Sequence, residues 1–353
     1  MKKLYAAISI VLVMILLWGC TPQAAYINWT QSWHKATETS VYDASFYYYL
    51  KEEAKIPSAH KDKIIKDSLD EKARIEIADG ELEYKIEQVD AQANTWKLTS
   101  TLNIKYLSKE ELQAILGGEY EEFEKALTLT GVKKLGETDI MTSSVTFSMA
   151  TGQLFKPLAV QKTFNMPSSE INLEYNFDYK TRVLTYKFND EESKVTYKAK
   201  KLKAGYDNEL LLLLIRSVDK TSFIEGYGAS ISRVYNWTDA VDRGGVMSAY
   251  PVNFKVSNDA KTIPIKDEFL PFVEKVETVE GETRLKVYEV KISKSSSYEA
   301  GPALMAYYAQ MDAKADSSYA TRLMIKSVQN IFDVSTTEKR FSMSYDIVSL
   351  SIA

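Results

Sequence analysis

The chain has 353 residues, 45% of them apolar and 26% charged, which is globular composition with enough apolar side chains for a sizeable core. Lys and Arg number 44 against 48 Asp and Glu, so the net charge is −4 and no basic excess exists for a nucleic-acid partner. One Cys and two His exclude a disulfide framework and a Cys-based zinc cluster, and leave little for triad chemistry. We therefore expect no nucleic-acid partner, no cofactor, no metal and no enzymatic activity.

The N-terminus carries the strongest signal in the sequence. Lys2 and Lys3 precede residues 4–18, which are apolar except for Ser9. This stretch is shorter than the roughly 20 residues of a membrane span and has the length of a signal-peptide core. It runs directly into Gly19 and Cys20, the single Cys of the chain.

Leu17-Trp18-Gly19-Cys20 resembles the lipobox of bacterial lipoprotein signal peptides, although Trp18 stands where a smaller residue is usual. The resemblance implies cleavage after residues 1–19 and lipidation of the Cys20 thiol with fatty acids such as palmitate. A thiolate is a good nucleophile for this step, and each buried CH₂ contributes about 0.8 kcal/mol to membrane binding. We therefore expect a cell-envelope protein, lipid-anchored on the extracytoplasmic side of a bacterial membrane. An uncleaved anchor with an incidental Cys is the alternative.

The rest of the chain divides simply. Residues 20–40 are predicted to form a short tether, because they lack the Ser/Gly/Pro run of a long stalk. With only eight prolines and no low-complexity tract, residues 41–353 are predicted to form one large β-rich domain. A split near residue 204 is the alternative.

Period-two alternation of apolar and polar residues dominates from residue 75 to 199 and predicts strands. The alternating apolar positions are Ile75, Ile77, Leu82, Tyr84, Ile86, Trp96, Leu98, Leu102, Ile104, Tyr106, Val145, Phe147, Met149, Ile171, Leu173, Tyr175, Phe177, Tyr179, Leu184, Tyr186, Phe188, Val195, Tyr197 and Ala199. Ser100 is a polar exception on its face. Asp79-Gly80 interrupts the pattern and predicts a two-residue hairpin turn.

The alternation changes phase within two C-terminal strands. Leu285 and Val287 give way to Tyr288, and the run that ends at Ile347 gives way to Val348. Because a phase slip moves the apolar set to the other face, each slip predicts a β-bulge and a bent strand.

Two segments are predicted to be helical. Ser108 and Glu111 form a capping-box pattern before a helix with a break at Gly117-Gly118. The second helix spans 209–218, with Asp207 or Asn208 as its N-cap; residues 210–215 are all apolar, which predicts a helix buried on every side. The predicted fold is mainly β (α+β): a strongly curved antiparallel sheet, or open half-barrel, with one or two helices packed in the concave face.

Residues 139–219 combine Tyr-rich strands with Tyr206-Asp207, a Leu-rich helix and Arg216. This pattern is similar to a family of bacterial envelope proteins of unknown function, and residues 303–325 also fit it. The family looks related in architecture to the LolA/LolB-type lipoprotein carriers, which implies an open half-barrel around helices.

No enzyme motif is present. His34 and His60 are interpreted as surface residues, and the acidic clusters at 110–111 and 121–124 as solvated helix faces. The loop at 239–245 has site-like Asp, Arg and Gly residues but lacks calcium-loop and phosphate-loop spacing, which favours a turn. Most of the 23 Tyr and 13 Phe are interpreted as sheet packing.

Three functions remain open in this order. The first is a binding module for an amphipathic or lipidic envelope ligand in the concave face. The second is a structural or interaction lipoprotein that docks an envelope protein and takes no small ligand. The third is an envelope hydrolase with paired carboxylates in one cleft.

Overall fold

The computed structural model describes residues 37–66, 72–130, 132, 134–150, 153–166, 169–189, 191–196, 205–216, 226–236, 248–258, 261–265, 273, 276–279, 281–294, 304–310, 322–333 and 336–352. The predicted signal peptide, Cys20, His34, most of the tether and the loop at 239–245 lie outside these residues.

The described residues form one sheet of 18 strands. The strands are β1 (Glu38–Tyr49), β2 (Ile64–Lys66), β3 (Ala73–Asp90), β4 (Thr95–Tyr106), β5 (Thr138–Ser148), β6 (Lys156–Met166), β7 (Ser169–Asp178), β8 (Val183–Phe188), β9 (Glu191–Thr196), β10 (Tyr206–Asp207), β11 (Gly228–Asn236), β12 (Ser248–Val256), β13 (Lys261–Pro264), β14 (Val276–Val279), β15 (Glu282–Lys294), β16 (Leu304–Gln310), β17 (Arg322–Phe332) and β18 (Lys339–Ile352).

The sheet runs from β9 back to β3 through consecutive antiparallel neighbours, continues through β1 to β18, and then runs back from β18 to β15, β12 and β11. The prediction of a purely antiparallel sheet needs one correction, because the two-residue strand β10 pairs with β11 in parallel.

The sheet curves until its two arms, one ending in β6–β9 and the other in β10–β12, come into contact. The rings of Phe177 on β7 and Tyr235 on β11 lie 5.6 Å apart, and Lys156 on β6 donates to the Gly205 carbonyl at 3.4 Å.

Strand β1 lies in the middle of the sheet and begins earlier than predicted. Glu38 and Ser40 were assigned to the tether, but both are buried and both pair with β3 on one side and β18 on the other. Backbone hydrogen bonding on two sides therefore overrides the polar character of these residues. We call the face of the sheet that carries Glu38, Ser40, Tyr42, Ala44, Phe46 and Tyr48 the inner face.

The hairpin predicted at Asp79-Gly80 is wrong. Strand β3 continues through both residues, and the pairing shifts beside Ala78, leaving Ile77 as an extra residue. Ile77 and Ala78 are both buried, and Ala78 is the partner of Phe46 on the inner face. A β-bulge, rather than a turn, therefore produces the change of phase. The slip predicted between Ile347 and Val348 is confirmed, since β18 shifts register against β1 there.

Both predicted helical regions are present. Helix α1 (Lys109–Leu116) begins at the Ser108 capping box, and a 3₁₀ turn (Gly117–Glu119) separates it from α2 (Tyr120–Leu127). Helix α3 (Leu211–Arg216) is shorter than predicted, and residues 217 and 218 lie outside the described part of the chain. The fold class is thus mainly β, an open curved sheet with small helices on its inner face.

The helices lie over opposite ends of β1. Phe123 of α2 packs its ring 5.2 Å from Tyr48, and Arg216 of α3 reaches Glu38. Ten residues of strand separate those two β1 positions, which is roughly 33 Å. The inner face near α2 is filled by aromatic contacts among Phe46, Tyr106 and Phe341, whereas the end beneath α3 is not completely filled.

Candidate functional site

A pocket lies between α3 and the inner face of the sheet. It encloses about 380 Å³, including the part that opens to solvent. Its lining residues come from α3 and its N-terminal approach and from strands β1, β3, β4 and β17: Glu38, Ser40, Tyr42, Tyr84, Ile86, Leu98, Glu209, Leu212, Leu213, Arg216 and Met324. We call it the helix pocket. Its walls are mostly apolar with a few polar groups, which is the composition of small-molecule binding sites.

Helix α3 is held over the sheet by apolar and polar contacts. Leu210, Leu214 and Ile215 are fully buried, which confirms the prediction of a buried apolar helix. Leu212 alone among these apolar residues is half-buried, and its side chain faces the pocket. Its carbonyl accepts a hydrogen bond from the Tyr308 hydroxyl at 2.9 Å.

A buried ion pair closes one end of the pocket. The Arg216 guanidinium donates to both carboxylate oxygens of Glu38, at 2.7 and 2.8 Å. Burial opposes the charge on Arg216, but the Glu38 carboxylate outweighs that effect and raises the pKa of the guanidinium. The pair joins the first residue of the sheet to the last residue of α3.

A second ion pair lies at the N-terminal end of α3. Glu209 accepts from the Lys162 ammonium at 2.7 Å, and its backbone N–H donates to the Asp207 carboxylate at 2.8 Å. Burial raises the pKa of the Tyr84 phenol well above its usual value, and the Glu209 carboxylate raises it further. Tyr84 therefore remains a protonated hydrogen-bond donor at the pocket wall.

A row of polar side chains crosses the inner face at this end of the sheet. Ser40, Tyr84, Ser100, Ser143 and Lys162 are direct partners on β1, β3, β4, β5 and β6 in turn. We call this the polar row. The rows on either side are apolar: Ile86, Leu98, Val145 and Val160 on one, and Leu82, Leu102, Met141 and Phe164 on the other.

The polar row is largely buried and incompletely hydrogen-bonded. Ser100 and Ser143 are only 7% and 8% exposed. The Ser143 hydroxyl has no hydrogen-bond partner among the described residues, and neither has the Nε–H of Arg216. A buried polar atom without a partner costs stability. Arg216 lines the helix pocket, so its N–H marks the end of the pocket where a ligand's oxygen atoms would be most favourable, whereas Ser143 lies outside the pocket lining.

Two carboxylates share the helix pocket, as a glycosidase-like mechanism would require. Each is already committed to a cation: Glu38 to Arg216, and Glu209 to Lys162. A general acid needs a protonated carboxyl at working pH, and a carboxylate that accepts two hydrogen bonds from a guanidinium stays ionised. The arrangement suits binding better than proton transfer.

The other candidate residues from the sequence lie away from the helix pocket. His60 lies in the 3₁₀ helix Ser58–Lys63, and the acidic clusters of α1 and α2 lie on the solvent-facing surface, where Glu111 caps α1 and Glu122 pairs with Lys51. Within the described ranges, no three His, Cys, Asp or Glu residues are grouped as metal ligands. None of the described helices is long and apolar enough to cross a membrane.

Sequence reasoning missed most of the pocket's polar residues. Glu38 and Ser40 fall in the predicted tether, and Tyr84 was predicted only as an alternating strand residue. Two signals were present: Ser100 broke an apolar face, and Arg216 followed six apolar residues. Their significance depends on strand register, which the sequence does not reveal.

No model of a known protein family matches the chain, and no curated protein matches it by sequence. Among solved structures, the chain is similar to a β-barrel-like protein of a domain of unknown function, DUF1849, from Brucella abortus. The two share 8% sequence identity and a TM-score of 0.45 over 91% of this chain and 99% of that one.

Proposed function

We propose that this chain is a lipid-anchored protein of a bacterial cell envelope that binds an amphipathic or lipidic molecule in the helix pocket. The observation that carries the proposal is the pocket itself. Apolar side chains of Ile86, Leu98, Leu212, Leu213 and Met324 surround it, and polar groups stand at its two ends. The empty space of about 380 Å³ includes open solvent, so the enclosed part of the pocket is small.

Binding rather than catalysis is proposed because both pocket carboxylates are ion-paired. The half-barrel resemblance to LolA/LolB-type carriers also favours ligand binding.

Native mass spectrometry of the protein purified from its own membranes tests whether the helix pocket binds a ligand. The wild type should carry a noncovalent adduct, and Leu212→Trp, which extends a large side chain into the pocket, should lack it. An adduct of equal abundance in both proteins, or in neither, contradicts ligand binding in this pocket.

The anchor is proposed from the lipobox at Cys20. Glu38 follows Cys20 by 18 positions, so an extended tether holds the start of the sheet within about 60 Å of the membrane. Metabolic labelling with an alkyne-bearing palmitate tests the anchor. The wild type should be labelled and membrane-bound, Cys20→Ser should be neither, and Thr21→Ser should behave as wild type. Labelling of Cys20→Ser would contradict the proposal.

The alternative, an interaction protein without a small ligand, is favoured by one observation. Away from the helix pocket the inner face is filled by the protein's own side chains, as the stacked rings of Phe46 and Phe341 at 5.5 Å illustrate. In-cell crosslinking separates the alternatives. A defined partner that is retained by Leu212→Trp supports an interaction protein, and recovery of monomer alone opposes it.

A further inference from the structure

The hydroxyl groups of the helix pocket and the polar row are arranged for one chemical class of head group. We infer that the occupant is a single-chain amphiphile with an uncharged, hydroxyl-bearing head, a monoacylglycerol or an equivalent polyol ester, whose head lies against Ser40 and Tyr84 of the polar row and against Arg216. This inference rests on the proposed function and specifies the ligand of the same pocket.

The charges of the pocket argue against a charged head group. Glu38 is neutralised by Arg216, and Glu209 by Lys162, with all four groups at hydrogen-bonded distances of 2.7 or 2.8 Å. A carboxylate or ammonium head entering this site would find no unpaired counter-ion among those groups. Burying a charge without a partner is strongly unfavourable, whereas an uncharged head avoids that cost.

The uncharged polar groups point to hydroxyls and ester oxygens in the ligand. Arg216, which lines the pocket and is more than nine-tenths buried, has an unpartnered N–H. Ser40 adds a hydroxyl to the same lining. Tyr84 adds a donor that does not ionise at physiological pH. A head with several hydroxyl and ester oxygens both accepts and donates hydrogen bonds, so it satisfies such a mixed set.

The geometry allows one chain and one head. Ser40 and Tyr84, the two members of the polar row that line the pocket, are direct partners about 4.8 Å apart, so one small head can contact both. The apolar tail would lie against Ile86 and Leu98 beneath Leu212 and Leu213. The space is small even with its open part included, which favours one acyl chain over the two or three chains of a phospholipid or a lipoprotein.

Photolabelling of the full-length protein in its native membranes tests the inference. Three probes share one diazirine-bearing dodecyl chain and differ in their heads: a glyceryl ester, a carboxylate and a trimethylammonium. Each is normalised to its labelling of bulk lipid. The glyceryl ester should label peptides that line the helix pocket at least about tenfold more than either charged probe. Leu212→Trp should abolish that labelling.

Two conservative variants test the role of the row. Tyr84→Phe and Ser40→Ala should each reduce glyceryl-ester labelling about two- to tenfold, as expected for one lost hydrogen bond. Ser144→Ala, on the opposite face of β5, should leave it unchanged. Equal or stronger labelling by a charged probe overturns the head-group inference but leaves the proposed function standing. Failure of all three probes to label the pocket overturns both.

Discussion

At the scale of single residues, buried charges decide how the site is held. Glu38 and Arg216 are 1% and 6% exposed, and each neutralises the charge of the other. Removing one partner leaves a buried charge uncompensated, which is far more costly than removing both. The pair thus fastens α3 to the sheet and defines one end of the helix pocket.

The first prediction concerns this pair. Glu38→Ala should lower the free energy of unfolding by about 3–5 kcal/mol, because Arg216 stays buried without its counter-ion. The double variant Glu38→Leu with Arg216→Met should recover most of that loss. Urea denaturation measures both, with Lys51→Ala at the exposed Lys51–Glu122 pair as a control that leaves the midpoint unchanged. A double variant no more stable than Glu38→Ala would contradict the account.

Lys156 is a second unusual residue. It lies where the two arms of the curved sheet meet, with its ammonium 3.7 Å from the centre of the Tyr206 ring and 3.4 Å from the Gly205 carbonyl. Burial lowers the pKa of this lysine to about 8. The charged form is therefore disfavoured by folding, because the ammonium loses hydration that the Tyr206 ring and the Gly205 carbonyl only partly replace.

The second prediction follows from the sign of that shift. In the unfolded chain the lysine titrates near pH 10.4, so between pH 8 and about 10 the unfolded state binds more protons and stability rises with pH. Below pH 8 both states are protonated and the full cost, about 3 kcal/mol, remains. Lys156→Met should remove that cost. The variant should therefore be more stable than wild type at pH 7, and the difference in their free energies of unfolding should shrink toward pH 10. A stability difference that does not change with pH would contradict the lowered pKa of Lys156.

At the scale of elements, alternation of apolar residues predicted the strands, and capping chemistry predicted α1 correctly. The predictions failed where strand register decides the structure. Asp79-Gly80 has turn chemistry, yet β1 and β4 pair with it on both sides, and this tertiary pairing overrides the local preference. Likewise Glu38 looks like a tether residue until its pairing with Ile86 and Ile352 is known.

The third prediction concerns Gly80. A Cβ added there would lie 2.0 Å from the Asn103 carbonyl oxygen, a backbone atom that cannot rotate away. Gly80→Ala should therefore destabilise the protein by more than about 2 kcal/mol, since β3 and β4 must separate locally. Gly118→Ala is the matched control, because a Cβ there meets nothing within 4 Å. Equal thermal midpoints for the two variants would show that β3 and β4 are not in such close contact.

At the scale of the whole molecule, one large curved sheet carries two helical regions on its inner face. The region α1–α2 fills its end of that face, whereas α3 leaves the helix pocket at the other end. The sequence predicted the curved sheet and the buried helix from periodicity and from the apolar run 210–215. It suggested a ligand in the concave face but not which residues line the pocket, because a cavity depends on how Leu212 and Leu213 stand above Ile86 and Leu98 after distant segments have met.

The measurement that tests the account most directly is an electron-density map of the protein purified from its own membranes without added amphiphile. The account predicts elongated density between Leu212 and Leu213 of α3 and Ile86 and Leu98 of the sheet, with its polar end near Tyr84. A helix pocket without such density, or one closed by the protein's own side chains, would contradict the claim that this protein binds an amphiphile there.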